Sequence, residues 1–310
     1  MDGAITVQGV LALQHLKLLA KNQLKALLFI EEPQFSLAQL VTEIGRGSVT
    51  KRALQLAQDF AFRQLEALNR HRITPLLLTD PRYPHLLRSI ADPPIILYSK
   101  GDISKLSARK PVTIIGSRTA SAYSSEVARR LGYLFSASPF AVVSGLAVGI
   151  DAAAHRGALD VADGCTIAVL ANSLDSIYPK ENTGLAQEIL DRGGCLVSEQ
   201  PPGAVLRKSH FIQRNRIQSA LSYAAILVQS AINGGSMHTM KFAAEQGRIL
   251  AAYEHHSADA QYAGNQKVIQ MMRGFALNNP ESIVELQKMV SIQTFSAHVP
   301  SQSSQLALNL

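Results

Sequence analysis

The chain has 310 residues, of which 47% are hydrophobic and 17% are charged. This composition excludes an intrinsically disordered chain and predicts one large globular domain or two ordinary ones. The formal net charge of +7 favours a polyanionic partner through long-range attraction, but a basic enzyme without a nucleic-acid role fits the charge equally well.

The first 70 residues show helical periodicity only. Apolar residues recur at helical intervals over residues 10–28, which predicts amphipathic helices. Residues 36–39 fit a capping box, Gly45 is placed to end that short helix, and a third helix is predicted over about residues 49–69. Residues 1–70 are therefore predicted to form a small N-terminal helical domain, interpreted as a packing module rather than as a nucleic-acid or protein contact.

Cellular location is predicted from the N-terminus and the cysteines. No signal peptide is expected, because Lys17, Lys21 and Lys25 interrupt the apolar residues, and no apolar stretch is long enough to cross a membrane. Cys165 and Cys195 have no neighbour at metal-ligand spacing, so they are expected to be buried thiols in a reducing compartment. These features predict a cytoplasmic protein without a metal site.

The rest of the chain predicts an α/β fold with a parallel sheet flanked by helices. Residues 71–107 are rich in proline and are predicted to form a connector with one or two strands, packed on the core. In the core, residues 108–290, apolar runs alternate with helical patterns, which is typical of βαβ units. The runs are residues 112–115, 140–143, 166–170, 195–197, 225–228 and 249–252. The segment from Tyr253 to about Val290 is predicted to be helical, and residues 291–310 to be a flexible tail.

The loops after the strands are the candidate binding residues, because ligands of open parallel sheets bind outside the carboxyl ends of the strands. After the first core strand, Gly116 permits close approach of a ligand and Ser117 offers a hydroxyl. Arg118 offers a bidentate fork for a phosphate or a base edge.

Two further loops have the design of an anion cradle, in which glycines and a serine leave backbone NH groups uncovered at the start of a helix. The first contains Ser144, Gly145 and Gly149, and the second contains Gly234, Gly235, Ser236 and Thr239. Neither fits the dinucleotide fingerprint or the P-loop, so binding of NAD and ATP hydrolysis are disfavoured.

Asp151 and His155 lie four residues apart and could form a catalytic or metal-binding pair. The favoured interpretation is that Asp151 interacts with the positive end of its helix. His155 then either pairs with Asp151 or packs in the core.

Two more loops carry aromatic and basic residues. Tyr178 offers a stacking face and Lys180 a mobile cation, the combination that binds single strands. Alternatively, Tyr178 and Pro179 only begin the next helix. Further candidate contacts with DNA or phosphate are Asn182, Arg207, Lys208, Arg214, Asn215 and Arg216.

Arg214 and Arg216 do not share a helix face, because residues two apart point in different directions. One of them is predicted to face the ligand and the other to pair internally, with Glu199 as the candidate partner. The sequence leaves open which arginine does which.

In order and spacing, these motifs resemble the DNA-processing protein A family (DprA, also called Smf) over about residues 80–285. The most specific segments are residues 115–118, 144–151 with His155, 178–179, 198–199, 214–217 and 235–239. The resemblance implies a Rossmann-like core that binds single-stranded DNA, forms homodimers and loads the RecA recombinase during natural transformation. No cofactor and no catalytic residue is predicted.

Several positions depart from the pattern of that family. Ala171 stands where glycine is usual, Gln229 where an acidic residue is usual, and Tyr253 with Glu254 where proline and glycine are usual. The C-terminal winged-helix domain of many members is expected to be absent. A role in transformation and a role in phage defence or a mobile element therefore both stay open.

The competing interpretation is a nucleotide sensor or a phosphoribohydrolase similar to the lysine-decarboxylase-like (LOG) family. Those hydrolases carry a Gly-Gly-x-Gly-Thr loop followed closely by glutamate. Here Gly235 is followed by Ser236, and no carboxylate stands near the loop. N-glycosidase activity is therefore disfavoured, and nucleotide sensing is the alternative function.

An apolar cluster near the end of the core offers a dimer contact. Val268, Ile269, Met271 and Met272 lie together in the sequence. Such a cluster fits either packing on the parent sheet or the homodimer that the resemblance implies. Val268, Ile269 and Met272 are taken as the predicted dimer contacts.

Overall fold

The computed structural model describes residues 6–29, 39, 41, 49–255, 257 and 259–294. Helices α1 (Val7–Leu16), α2 (Lys21–Leu28) and α3 (Lys51–Arg70) form the N-terminal helical part. Thr6 and Thr50 cap α1 and α3, because each hydroxyl accepts a hydrogen bond from a backbone NH of the first turn. Residues 36–38 of the predicted capping box and the helix end predicted at Gly45 lie outside the described residues.

Within the described residues, nine strands form one sheet in the order β1-β2-β6-β5-β4-β3-β7-β8-β9. The strands are β1 (Thr74–Leu77), β2 (Ile96–Gly101), β3 (Lys110–Gly116), β4 (Phe140–Ser144), β5 (Thr166–Leu170), β6 (Cys195–Ser198), β7 (Ala224–Gln229), β8 (Ile249–Tyr253) and β9 (Phe275–Leu277). The six predicted core strands match β3 to β8 within two residues at each end, because each is a short apolar run that is buried in the sheet.

The sheet departs from the prediction in two respects. It is mixed rather than wholly parallel, because β1 pairs antiparallel with β2, and β2 pairs antiparallel with β6. The predicted connector thus contributes two strands to the edge of the sheet. The segment after Tyr253 is not only helical, because β9 extends the parallel part by pairing with β8.

Helices cover both faces of the sheet. They are α4 (His85–Arg88), α5 (Lys105–Ala108), α6 (Ala122–Ser136), α7 (Ile150–Leu159), α8 (Thr183–Asp191), α9 (Lys208–Ala220), α10 (Ser236–Glu245), α11 (Ala263–Gln270) and α12 (Pro280–Ile292), with short 3-10 turns at Lys180–Asn182 and Ala260–Tyr262. Helices α6, α7 and α12 pack on one face and α9, α10 and α11 on the other, while the N-terminal helices join α7 and α8. The fold is a Rossmann-like α/β sheet with a small N-terminal helical part.

The strand order reverses direction between β3 and β7. Ligand sites of such sheets lie at the carboxyl ends of the strands near the reversal. The loops after β3, β4, β5 and β7 therefore meet at one edge. In the part of the chain that the structure describes, no helix is both long and apolar enough to cross a membrane.

Candidate functional site

A cleft of about 420 Å³ opens at the carboxyl ends of β3, β4 and β5. Its walls come from the loops after these strands and from the first two turns of α9. The lining residues are Arg118, Gly145, Ala147, Val148, Ala171, Tyr178, Pro179, Lys180, Glu181, Phe211 and Arg214. Five of the predicted contacts, namely Arg118, Gly145, Tyr178, Lys180 and Arg214, are thus brought together.

One wall of the cleft is aromatic and carries a cation. The rings of Tyr178 and Phe211 meet edge to face, with centroids 5.8 Å apart. The guanidinium of Arg118 lies over the Phe211 ring at 4.9 Å from its centroid, a cation–π distance. Tyr178 is 45% exposed, so its ring remains open to a ligand. Phe211 was not among the predicted site residues, although its position between Lys208 and Arg214 in one helix was visible in the sequence.

The floor of the cleft is a buried hydrogen-bonded network around Gly145. The Gly145 NH donates to Asp151 Oδ2 at 3.0 Å, and Arg214 Nη1 donates to the Gly145 carbonyl at 2.7 Å and also to the Val169 carbonyl. Burial raises the pKa of the Asp151 carboxyl, while the charge of Arg214 and the Gly145 NH oppose that shift. The network links Asp151 and Arg214 through the backbone of Gly145 beneath the loop after β4.

Gly145 is required at this position because a side chain would collide with the network. A Cβ atom there would lie 2.6 Å from Asp151 Oδ2 and 2.7 Å from Arg214 Cζ. Gly149 is constrained in another way. Its φ is +80°, and a Cβ atom would lie 2.8 Å from the Arg118 carbonyl oxygen. The two glycines therefore let the loops after β3 and β4 pack closely.

The structure distinguishes the two arginines of α9. Arg216 is the one that pairs with Glu199, at 2.7 Å, and its Nε lies 3.3 Å from Asp92. The Lys21 ammonium of α2 contacts both Asp92 and Glu199, at 2.7 Å and 3.4 Å. Arg214 lines the cleft, but its hydrogen bonds to carbonyls leave it only 7% exposed.

Other predicted contacts support the loops instead of lining the cleft. Ser144 Oγ donates to the Ile114 carbonyl, Asn182 Nδ2 donates to the Leu146 carbonyl, and Thr239 is buried. Gly116, Ser117 and Gly149 lie beside the cleft, and Arg207 and Lys208 are exposed just before and at the start of α9. Asn215 donates to the Gly235 carbonyl at 3.4 Å, next to Gly234 and Ser236 beyond β7. Their contacts with a ligand remain predictions.

Four basic residues at this edge of the sheet have no carboxylate partner among the residues that the structure describes. In the described ranges of the chain, Arg118, Lys180, Arg207 and Lys208 form no ion pair. Cations without a carboxylate partner are free to neutralise phosphates.

The residues of the predicted dimer cluster differ in how far they are buried. Val268 is fully buried in the core of the chain, where it contacts residues of the sheet and of α10. Ile269 and Met272 are half-buried against the same core. Met271 is 74% exposed, so it is the member of this cluster most available to a partner.

The fold and the cleft define an α/β protein whose Rossmann-like sheet carries a cleft lined by cations and aromatic rings at its carboxyl edge. The chain belongs to the family of DNA recombination-mediator protein A, whose sequence profile matches residues 74–288. It is 38% identical over 208 residues to the DNA processing protein DprA of Bacillus subtilis, covering 67% of this chain and 69% of that protein. It is 34% identical over 203 residues to protein Smf of Escherichia coli, covering 66% and 54%.

Two solved structures resemble the chain over most of their own length. DNA processing protein A from Streptococcus pneumoniae is 26% identical, with a TM-score of 0.67 over 95% of this chain and 96% of that one. DNA processing protein A from Helicobacter pylori, which was studied for its unique mode of binding single-stranded DNA, is 28% identical, with a TM-score of 0.63 over 70% and 97%. The chain spans about half the length of the Smf proteins of Escherichia coli and Synechocystis, 54% and 48%.

Proposed function

We propose that this chain binds single-stranded DNA in the cleft without reading its sequence. The observation that carries the proposal is the wall formed by Arg118, Phe211 and Tyr178, in which a cation lies over one of two adjoining aromatic rings. Unpaired bases stack on such rings whatever their identity, and cations beside them neutralise the phosphates. The Helicobacter relative, which binds single-stranded DNA, supports the proposal.

Salt dependence tests the phosphate contacts. Each phosphate contact adds about −0.7 to the slope of log affinity against log salt concentration for a single strand. Replacement of Arg118 or Lys180 by alanine is expected to weaken binding to all sequences alike and to make the slope shallower by about 0.7. Fluorescence anisotropy with labelled oligonucleotides at several salt concentrations measures both quantities.

The matched control is Lys241→Ala. Lys241 lies on α10 with its side chain 77% exposed, and its removal changes the net charge by the same amount without touching the cleft. If the slope of log affinity against log salt becomes equally shallow in Lys241→Ala and Arg118→Ala, net charge rather than the cleft attracts the DNA.

Oligonucleotide length separates this proposal from the nucleotide-sensing alternative. A sensor saturates with a mononucleotide, whereas a DNA-binding protein gains affinity as the oligonucleotide grows. We propose that the chain acts by binding and not by catalysis. Release of free base from nucleoside monophosphates, lost when Asp151 or Glu199 is changed, would instead support the phosphoribohydrolase function.

We further propose that the chain works in the cytoplasm as a homodimeric recombination mediator that protects single-stranded DNA and loads RecA. The family to which it belongs supports this role. The exposed Met271 beside Ile269 and Met272 offers an apolar contact for a second copy. A dimer would join two short DNA sites into one longer track by raising their effective concentration.

The dimer contact is tested by placing charge on its exposed member. Met271→Glu is expected to shift the chain to monomers at micromolar concentration without unfolding it, because an exposed side chain tolerates the charge until a partner buries it. Sedimentation velocity measures the change, with Val284→Glu, a 48% exposed apolar site on α12, as the control. A wild-type chain that sediments as a clean monomer would refute the dimer.

A further inference from the structure

A second group of aromatic rings lies at the same edge of the sheet but outside the cleft. We call Tyr123, Tyr253, His255 and Tyr262 the tyrosine group. Tyr123 lies in the first turn of α6, Tyr253 ends β8, and Tyr262 immediately precedes α11. The ring centroids of Tyr123 and Tyr253 are 6.2 Å apart at an angle of 61°, and His255 stacks on Tyr262 at 3.8 Å and 15°.

The rings of the tyrosine group are held in place from below. The hydroxyls of Tyr123 and Tyr253 are hydrogen-bonded at 2.6 Å, and His255 Nε2 donates to the Val228 carbonyl at 2.7 Å. Tyr262 is only 8% exposed, whereas Tyr123 at the rim is 60% exposed. The exposed ring therefore has a fixed orientation before any ligand arrives, which lowers the entropic cost of binding.

The tyrosine group continues the edge on which the cleft lies. Arg118 of the cleft and Tyr123 are five residues apart, which an extended chain spans in at most about 18 Å. Tyr253 ends β8, which is two strands from β3, or about 10 Å across the sheet. A flexible polymer held in the cleft can therefore reach the tyrosine group without leaving this edge.

The chemistry of the tyrosine group suits bases better than phosphates. A tyrosine phenol is neutral at physiological pH, and burial raises the pKa of Tyr253 further, to about 12. The charged residues nearest in sequence to Tyr123 and Tyr253 are Glu126 and Glu254, whose carboxylates disfavour phosphate beside them. Stacking of a base on an aromatic face needs no cation.

We propose that the tyrosine group is a second base-stacking site for the strand that the cleft holds. The inference rests on the proposed binding of single-stranded DNA and names the part of the ligand recognised here, which is an unpaired base of any kind. The cleft supplies the contacts to phosphate, and the tyrosine group supplies stacking to nucleotides further along the strand.

The test compares oligonucleotides of increasing length with wild type and Tyr123→Ala. Loss of one stacking ring is expected to weaken binding of long oligonucleotides about fivefold or more. Binding of the shortest oligonucleotides, which fill only the cleft, is expected to stay unchanged. The slope of affinity against salt is expected to stay the same, in contrast to Arg118→Ala. Tyr123→Phe keeps the ring and loses only the hydroxyl contact that orients it, so it is expected to bind long oligonucleotides more tightly than Tyr123→Ala does.

The matched control is Tyr133→Ala. Tyr133 is 38% exposed on the same helix, ten residues from Tyr123 and therefore about 15 Å along the helix axis. Tyr133→Ala is expected to bind long strands as the wild type does. If Tyr123→Ala also binds them as tightly as the wild type, or if both variants weaken binding to the same extent, the tyrosine group is not a stacking site. If Tyr123→Ala instead loses binding of a purified protein partner, the tyrosine group is a protein interface. If the wild type binds no single strand at any length, the proposed function itself fails.

Discussion

Replacing Gly145 by alanine is expected to destabilise the chain by roughly 2–5 kcal/mol and to abolish the proposed binding of DNA in the cleft. The new methyl group would occupy the space of the Arg214 guanidinium and the Asp151 carboxylate. The guanidinium has no free room to move, because it donates to the carbonyls of Gly145 and Val169. Moving it would break these two buried hydrogen bonds, and buried polar groups left without partners are strongly destabilising.

Urea unfolding followed by circular dichroism measures this loss, and the matched control is Gly184→Ala. Gly184 lies in the first turn of α8, and a Cβ atom there would meet nothing within 4 Å. Because alanine lowers the entropy of the unfolded chain, that substitution is expected to stabilise by about 0.5–1 kcal/mol. A Gly145→Ala protein as stable as wild type would show that the Arg214 and Asp151 network is not rigid.

The free energy of unfolding is expected to fall as pH falls below about 6.5, partly because of His155. This imidazole is fully buried, and its Nδ1 pairs with Thr166 Oγ1 at 2.6 Å instead of with Asp151. Burial, with a smaller contribution from Arg214, lowers the pKa of His155 from 6.5 to about 3. The unfolded chain therefore takes up a proton below pH 6.5, whereas the folded chain does so only near pH 3.

Stability is fully present above pH 6.5 and is lost between these two values at about 1.4 kcal/mol per pH unit for one such group. Urea unfolding of wild type and His155→Gln at pH 7, 6 and 5 isolates the contribution, because glutamine does not titrate. The wild type is expected to lose about 1 kcal/mol more than the variant between pH 6 and pH 5. Parallel curves for both proteins would mean that His155 accepts a proton in the folded chain.

The sequence predicts those elements of the fold whose signal is local. β3 to β8 were predicted because each is a buried apolar run bounded by turn residues. β9 was missed because three residues are too short to show a period. Antiparallel pairing of β2 with β6 joins segments about 100 residues apart, and no local pattern specifies such a distant partner or its direction.

The sequence likewise predicts some features of the candidate site and not others. The rule that ligands bind at the carboxyl ends of strands placed Arg118, Tyr178 and Lys180 in one region, and the structure brings them together in one cleft. The sequence does not predict which polar side chains of the loops are buried, because such a side chain can form hydrogen bonds either with a ligand or with a nearby backbone carbonyl. Ser144 and Asn182 do the latter. Phe211 was missed because one aromatic residue in a helix is most often part of the core.

Asp92 and Glu199 each pair with Lys21 of α2 and with Arg216 of α9, and this arrangement has a consequence for any fragment of this protein. Among the described residues, Asp92 lies within 4 Å of three cations, Lys21, Lys25 and Arg216. The segment that matches the family begins at residue 74, so a fragment cut there would keep every described strand and lose both lysines. Asp92 and Glu199 would then share a single guanidinium, which lies two residues from Arg214 in the floor of the cleft. The segment shared with the family therefore lacks two of the cations that balance its own carboxylates, and the helices that precede it supply them.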